Sequence, residues 1–92
     1  MATRRKYRSQ AGIVLDILET LISEGPMRAT RLATYANLPY DRLKVVLESL
    51  VAKGHVRFDE ETRTYSITKE GERALQTLRE TRKILEALGF KL

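Results

Sequence analysis

Arg42 and Lys44 have the plainest chemical use in this chain. They stand near the start of "NLPYDRLKVVLESLVAKG", residues 37 to 54. A guanidinium clasps O6 and N7 of guanine, and an ammonium does the same or holds a phosphate. Tyr40 and Thr30 carry hydroxyls suited to phosphate oxygens, and Arg31 adds a cation beside Thr30. Two acids weigh against this use, because Asp41 and Glu48 repel phosphates. Asp41 has a bland role as well, since a carboxylate at a helix start answers the helix dipole. A solvated helix face is the bland alternative for the whole group.

Other chemistries find little support. The chain has no cysteine and a single histidine, His55. That removes thiolate metal sites and leaves no histidine cluster. A catalytic histidine needs a partner nucleophile or acid, and the sequence places none; His55 is expected to cover a helix exit. Glu60 and Glu61 are paired acids on a turn without a cleft. There is no glycine loop to cradle a phosphate. The expectation is a binding protein and not an enzyme, with no cofactor, no metal and no small-molecule ligand.

The formal net charge is +5, and its location matters more than its size. Arg4, Arg5, Lys6 and Arg8 precede every acid; the remaining 13 of 17 basic residues face all 12 acids. Residues 28 to 57 carry six cations, Arg28, Arg31, Arg42, Lys44, Lys53 and Arg57, against Asp41 and Glu48. A basic arm and a basic middle suit a polyanion. A solubilising tail is the other reading. Asp16 and Glu19 break the apolar stretch from Ile13 to Ile22, which argues against a signal peptide or membrane span. A soluble cytoplasmic protein is expected.

The elements that must position these groups follow from periodicity. Residues 1 to 8 lack it and read as a mobile arm. A first helix is expected from about Ser9 to Glu24, with Ile13, Val14, Ile17, Leu18, Leu21 and Ile22 as its stripe and Gly25-Pro26 as its stop. A second runs near Ala29 to Ala36, and Asn37 suits a left-handed turn after it. Pro39 fits the first position of a third helix, which continues to about Lys53 before Gly54. The period then changes to two: Val56 and Phe58 alternate with Arg57 and Asp59, and Tyr65 and Ile67 with Thr64 and Ser66. That is a hairpin with one buried face, joined by the polar "EETR". Thr68 suits the N-cap of a final helix of about 20 residues. Gly71, just inside it, would allow close packing on a neighbour.

Two short helices joined by a tight turn and followed by a hairpin make a winged helix-turn-helix. The predicted class is mainly α with a small β-hairpin, ending in a long C-terminal dimerisation helix. Residues 11 to 80 resemble the small archaeal winged-helix DNA-binding proteins that dimerise through a C-terminal coiled-coil helix. "IVLDILETL", "TRLATYANLPYDRLKVVLESLVAKG" and "YSITKEGERAL" carry the resemblance. The organisation expected is an arm at 1–8, a winged domain at 9–68 and a helix at 69–92.

The resemblance implies double-stranded DNA as partner, in a transcriptional regulator or a nucleoid-associated protein. The third helix would enter the major groove, with Asp41, Val45, Glu48, Ser49 and Ala52 outward. Thr30, Arg31, Tyr40, Arg42 and Lys44 would make the contacts. Wings of this family place basic residues on the backbone. Here the tip is Asp59-Glu60-Glu61, so only Arg57 and Arg63 are offered for that role. Arg4, Arg5, Lys6 and Arg8 would lie along the backbone without sequence preference. In the last helix Gly71, Ala74, Leu78, Thr81, Leu85, Leu88 and Leu92 keep three-four spacing, with Leu75 and Ile84 beside it. Leu78, Thr81, Leu85, Leu88 and Leu92 would then join two copies in a homodimer. Rival readings are a docking module in a larger assembly, because winged helices serve that role too, and an RNA-binding protein.

Overall fold

The computed structural model describes residues 9–92, and Arg4, Arg5, Lys6 and Arg8 lie outside that range. The elements are α1 (Gln10–Glu24), α2 (Ala29–Ala36), α3 (Tyr40–Ala52), β1 (Val56–Asp59), β2 (Thr64–Ile67) and α4 (Lys69–Ala87). The two strands form one antiparallel sheet. This is the mainly helical chain with a hairpin that the periodicities predict.

Each boundary has a local cause. Ser9 Oγ accepts from the Gly12 N–H at 3.0 Å and caps α1. Asn37 closes α2 at φ 55°, ψ 51°, and its N–H reaches the carbonyls of Ala33 and Thr34. Pro39 differs from expectation by one position. It is the N-cap of α3, with φ −59° and ψ 144°, and its carbonyl accepts from Leu43 N–H at 2.9 Å. The ring fixes φ but leaves ψ free, so proline serves either side of a helix start. Thr68 Oγ1 accepts from Gly71 N–H at 3.0 Å and donates to the Gly54 carbonyl at 2.7 Å. One hydroxyl thus ties the start of α4 to the exit of α3.

In the hairpin Val56 opposes Ile67 and Phe58 opposes Tyr65. Strand β2 also pairs with Met27, which exchanges both backbone hydrogen bonds with Tyr65, at 3.1 and 2.8 Å. A single paired residue has no period, so the sequence pattern does not announce it. It anchors the hairpin to the link between α1 and α2.

Helix α1 packs against α2, α4 and β2. It buries Leu15 along with Ile13, Ile17, Leu18 and Leu21, whereas Ile22, expected in its stripe, is exposed. A helix with neighbours on several sides need not be one-sided. Each fully buried leucine contributes about 1.5–3 kcal/mol.

Helix α4 departs further from expectation. Its most buried large side chain is Leu75, 1% exposed, which the spacing put beside the seam. Leu78 packs against the core of its own chain. Arg79 and Arg82 reach Glu19 of α1 at 3.2 and 3.6 Å. The helix closes at Ala87, with Gly89 at φ 92°, so Leu92 does not continue the helical row. Leu92 instead packs on the core beside Gly12. The cause is geometric: a row of strict three-four spacing drifts around a straight helix, and α1 selects the row it covers. No described helix is long and apolar enough to cross a membrane.

Candidate nucleic-acid interface

The turn of Asn37, Leu38 and Pro39 joins the end of α2 to the start of α3, and Met27, just before α2, pairs with Tyr65 of the hairpin. A cleft opens where the three meet. Arg28, Ala29 and Thr30 line it from the beginning of α2, Tyr40 and Lys44 from α3, and Phe58, Arg63 and Tyr65 from the hairpin.

Its parts are positioned by one another. Tyr65 is buried, and its ring lies 4.7 Å from that of Phe58, tilted by 43°. A buried tyrosine hydroxyl needs a partner. Lys44 Nζ supplies it, donating to Tyr65 Oη at 3.4 Å, and stands 6.0 Å from the centre of the Tyr40 ring. The hydrogen bond to Tyr65 holds the Lys44 pKa above its ordinary value of 10.5, so the ammonium persists throughout the physiological range. The Arg63 guanidinium lies 5.7 Å over the Phe58 ring. Its backbone is left-handed at φ 61°, and its N–H donates to the Asp59 carbonyl at 2.7 Å.

The expected contact residues divide. Thr30, Tyr40, Lys44 and Arg63 come together at the cleft. Arg31 turns along α2, donating to Tyr35 Oη at 3.3 Å, and lines a neighbouring hollow that also holds Glu24. Arg42 is exposed on α3, as are Asp41, Val45, Glu48, Ser49 and Ala52. Arg57 is exposed on β1 and, by strand alternation, faces away from the side that carries Phe58. Asp59 Oδ1 accepts from the N–H groups of Glu61 and Thr62, at 2.9 and 3.3 Å, so its carboxylate is occupied by the turn. Glu60 and Glu61 remain exposed.

Sequence reasoning missed Arg28, Phe58 and Tyr65 as site residues. Arg28 had been counted only in the basic middle. Its place directly before a helix was the available signal. Phe58 and Tyr65 were read as core, and their alternation indeed predicts burial; the role of their outer edges depends on the fold. His55 acts through its backbone, donating to the Leu50 carbonyl at 2.9 Å and accepting from Thr68 N–H at 3.1 Å. Among the described residues no group of three or more His, Asp or Glu side chains could hold a metal ion.

The family model described as winged helix-turn-helix matches residues 7–86. The chain belongs to the winged helix-turn-helix family. Among solved structures this winged helix-turn-helix chain is similar to the transcriptional regulator Tm0710 from Thermotoga maritima, with a TM-score of 0.65 and 23% identity. The likeness covers 87% of this chain and 61% of that one, so the chain spans less than two thirds of the regulator's length. At that identity the likeness is one of fold. No curated protein gives a significant match.

Proposed function

We propose that the protein binds double-stranded DNA as a homodimer, acting as a transcriptional regulator or a nucleoid-associated protein in the cytoplasm. The observation that carries this reading is the convergence of Arg28, Lys44 and Arg63 at the start of α3, in a winged helix-turn-helix. In this architecture the second helix of the motif enters the major groove with its N-terminal residues toward the bases. Arg42 is placed to read a base edge; Thr30, Tyr40 and Lys44 hold the backbone. Arg57 and Arg63 are further backbone contacts. The arm with Arg4, Arg5, Lys6 and Arg8 adds charge along the duplex. Similarity to a solved transcriptional regulator supports the regulatory role. A catalytic role has no support from the family.

A docking module in a larger assembly is the second reading. It draws on Val45, which is 67% exposed on the outer face of α3 between Asp41 and Glu48. A titration of random duplex DNA at two salt concentrations separates the two. DNA binding through the backbone weakens steeply with salt, each neutralised phosphate contributing about −0.9 to the slope of log K against log salt. Absence of duplex binding at low salt would leave the docking reading in place. Double-stranded RNA that competes as well as DNA would redirect the proposal to RNA.

A further inference from the structure

We infer that the cleft between α2, α3 and the hairpin is a seat for one backbone phosphate of duplex DNA, gripped from three elements by Arg28, Lys44 and Arg63. This rests on the DNA-binding reading and deepens it, because it names a single shared contact that joins the groove-reading helix to the wing.

Three cations from separate parts of the chain line one hollow. Among the described residues none of the three is in an ion pair. An anion seated among the three is attracted by each, against the opposing charge of Glu48, which also acts on Lys44. Two of the three side chains, Lys44 and Arg63, are also held in advance. Lys44 uses one N–H on Tyr65 Oη and keeps two for a ligand. The Arg63 guanidinium stands 5.7 Å from the centre of the Phe58 ring and keeps its donors for a ligand. Thr30 supplies a hydroxyl at the margin. Arg63 is furthermore held at φ 61°, a left-handed conformation that glycine adopts freely and a side-chain-bearing residue only at a cost. Glycine there would relieve the backbone and remove the guanidinium.

The position favours a diester of the duplex over a free anion. The first helix of the motif crosses the DNA backbone, and Arg28 and Thr30 stand at the beginning of that helix. In the wing turn the exposed Glu60 and Glu61 repel phosphate, and Arg63 of the same turn, which lines the cleft, takes the contact.

The test is a duplex-affinity cycle by fluorescence anisotropy with Arg28→Gln, Lys44→Gln and the double variant. Each single change weakens binding about tenfold. The pair weakens it by much less than the hundredfold that independent contacts multiply to. The salt slope falls by about 0.9 per protomer in the double variant, the share of one phosphate. Arg28→Lys, which keeps the charge, retains most of the affinity and separates loss of contact from loss of fold. Inorganic phosphate at matched ionic strength displaces the duplex no better than chloride. Fully multiplicative losses, or singles that bind as wild type, would overturn the shared seat while leaving DNA binding intact. Preferential displacement by phosphate would assign the cleft to a free anion instead. Failure of the wild-type protein to bind duplex would remove both the seat and the reading beneath it.

Discussion

At Gly71 the carbonyl of His55 and, at 2.7 Å, Cγ1 of Ile67 occupy the space a Cβ would need. One obstacle is backbone, so it cannot rotate aside. Gly71→Ala is expected to lower stability by about 1–3 kcal/mol, the usual cost of overpacking, measured by chemical denaturation. An alanine variant as stable as wild type would show that the join between α4 and the hairpin is loose. The need for a small residue was legible in the sequence, but the atoms it makes room for were not. Arg42 is the opposite case. It is exposed and carries no ion pair among the described residues, so its loss leaves the fold intact. If it makes a bidentate contact with guanine, Arg42→Ala costs about 1–3 kcal/mol of affinity for a preferred sequence and less on random DNA. Equal loss on both would reduce it to a phosphate contact.

Helix α4 shows what an element's neighbours do to its pattern. The expected dimer seam took Leu78, Thr81, Leu85, Leu88 and Leu92 as one row. Leu78 and Leu92 are partly buried against the core of their own chain, and Leu85 is half-buried. The apolar groups left outward are Ile84, 62% exposed, and Leu88, 66% exposed, followed by Phe90. Ile84 and Leu88 are four apart, on one helix face with Thr81. A shared apolar surface on so small a chain suits a second copy. Leu88→Asp is therefore expected to give a monomer by light scattering, with the melting temperature of the domain little changed and duplex affinity reduced, because two linked half-sites bind more tightly than one. A wild-type protein already monomeric at high micromolar concentration would contradict the dimer. The bounds of α2 and α3 were readable from Asn37, Gly54 and the apolar spacing, all local signals. The choice of which row of α4 is covered was not, because it belongs to α1.

Across the whole molecule, the order of helices and the hairpin followed from periodicity, and that order implies the family. The cleft did not follow. Arg28, Lys44 and Arg63 are separated in sequence and line one cleft beside the pairing of Met27 with Tyr65, a contact without a repeating signature. Whether this corner of the fold faces duplex DNA is tested by a map of backbone amide NMR shifts during titration with a short duplex at low salt. The largest changes are expected at Arg28, Thr30, Tyr40, Arg42, Lys44 and Arg63, while Ile84 and Leu88 stay unmoved. Changes concentrated on α4, with the start of α3 silent, would contradict it.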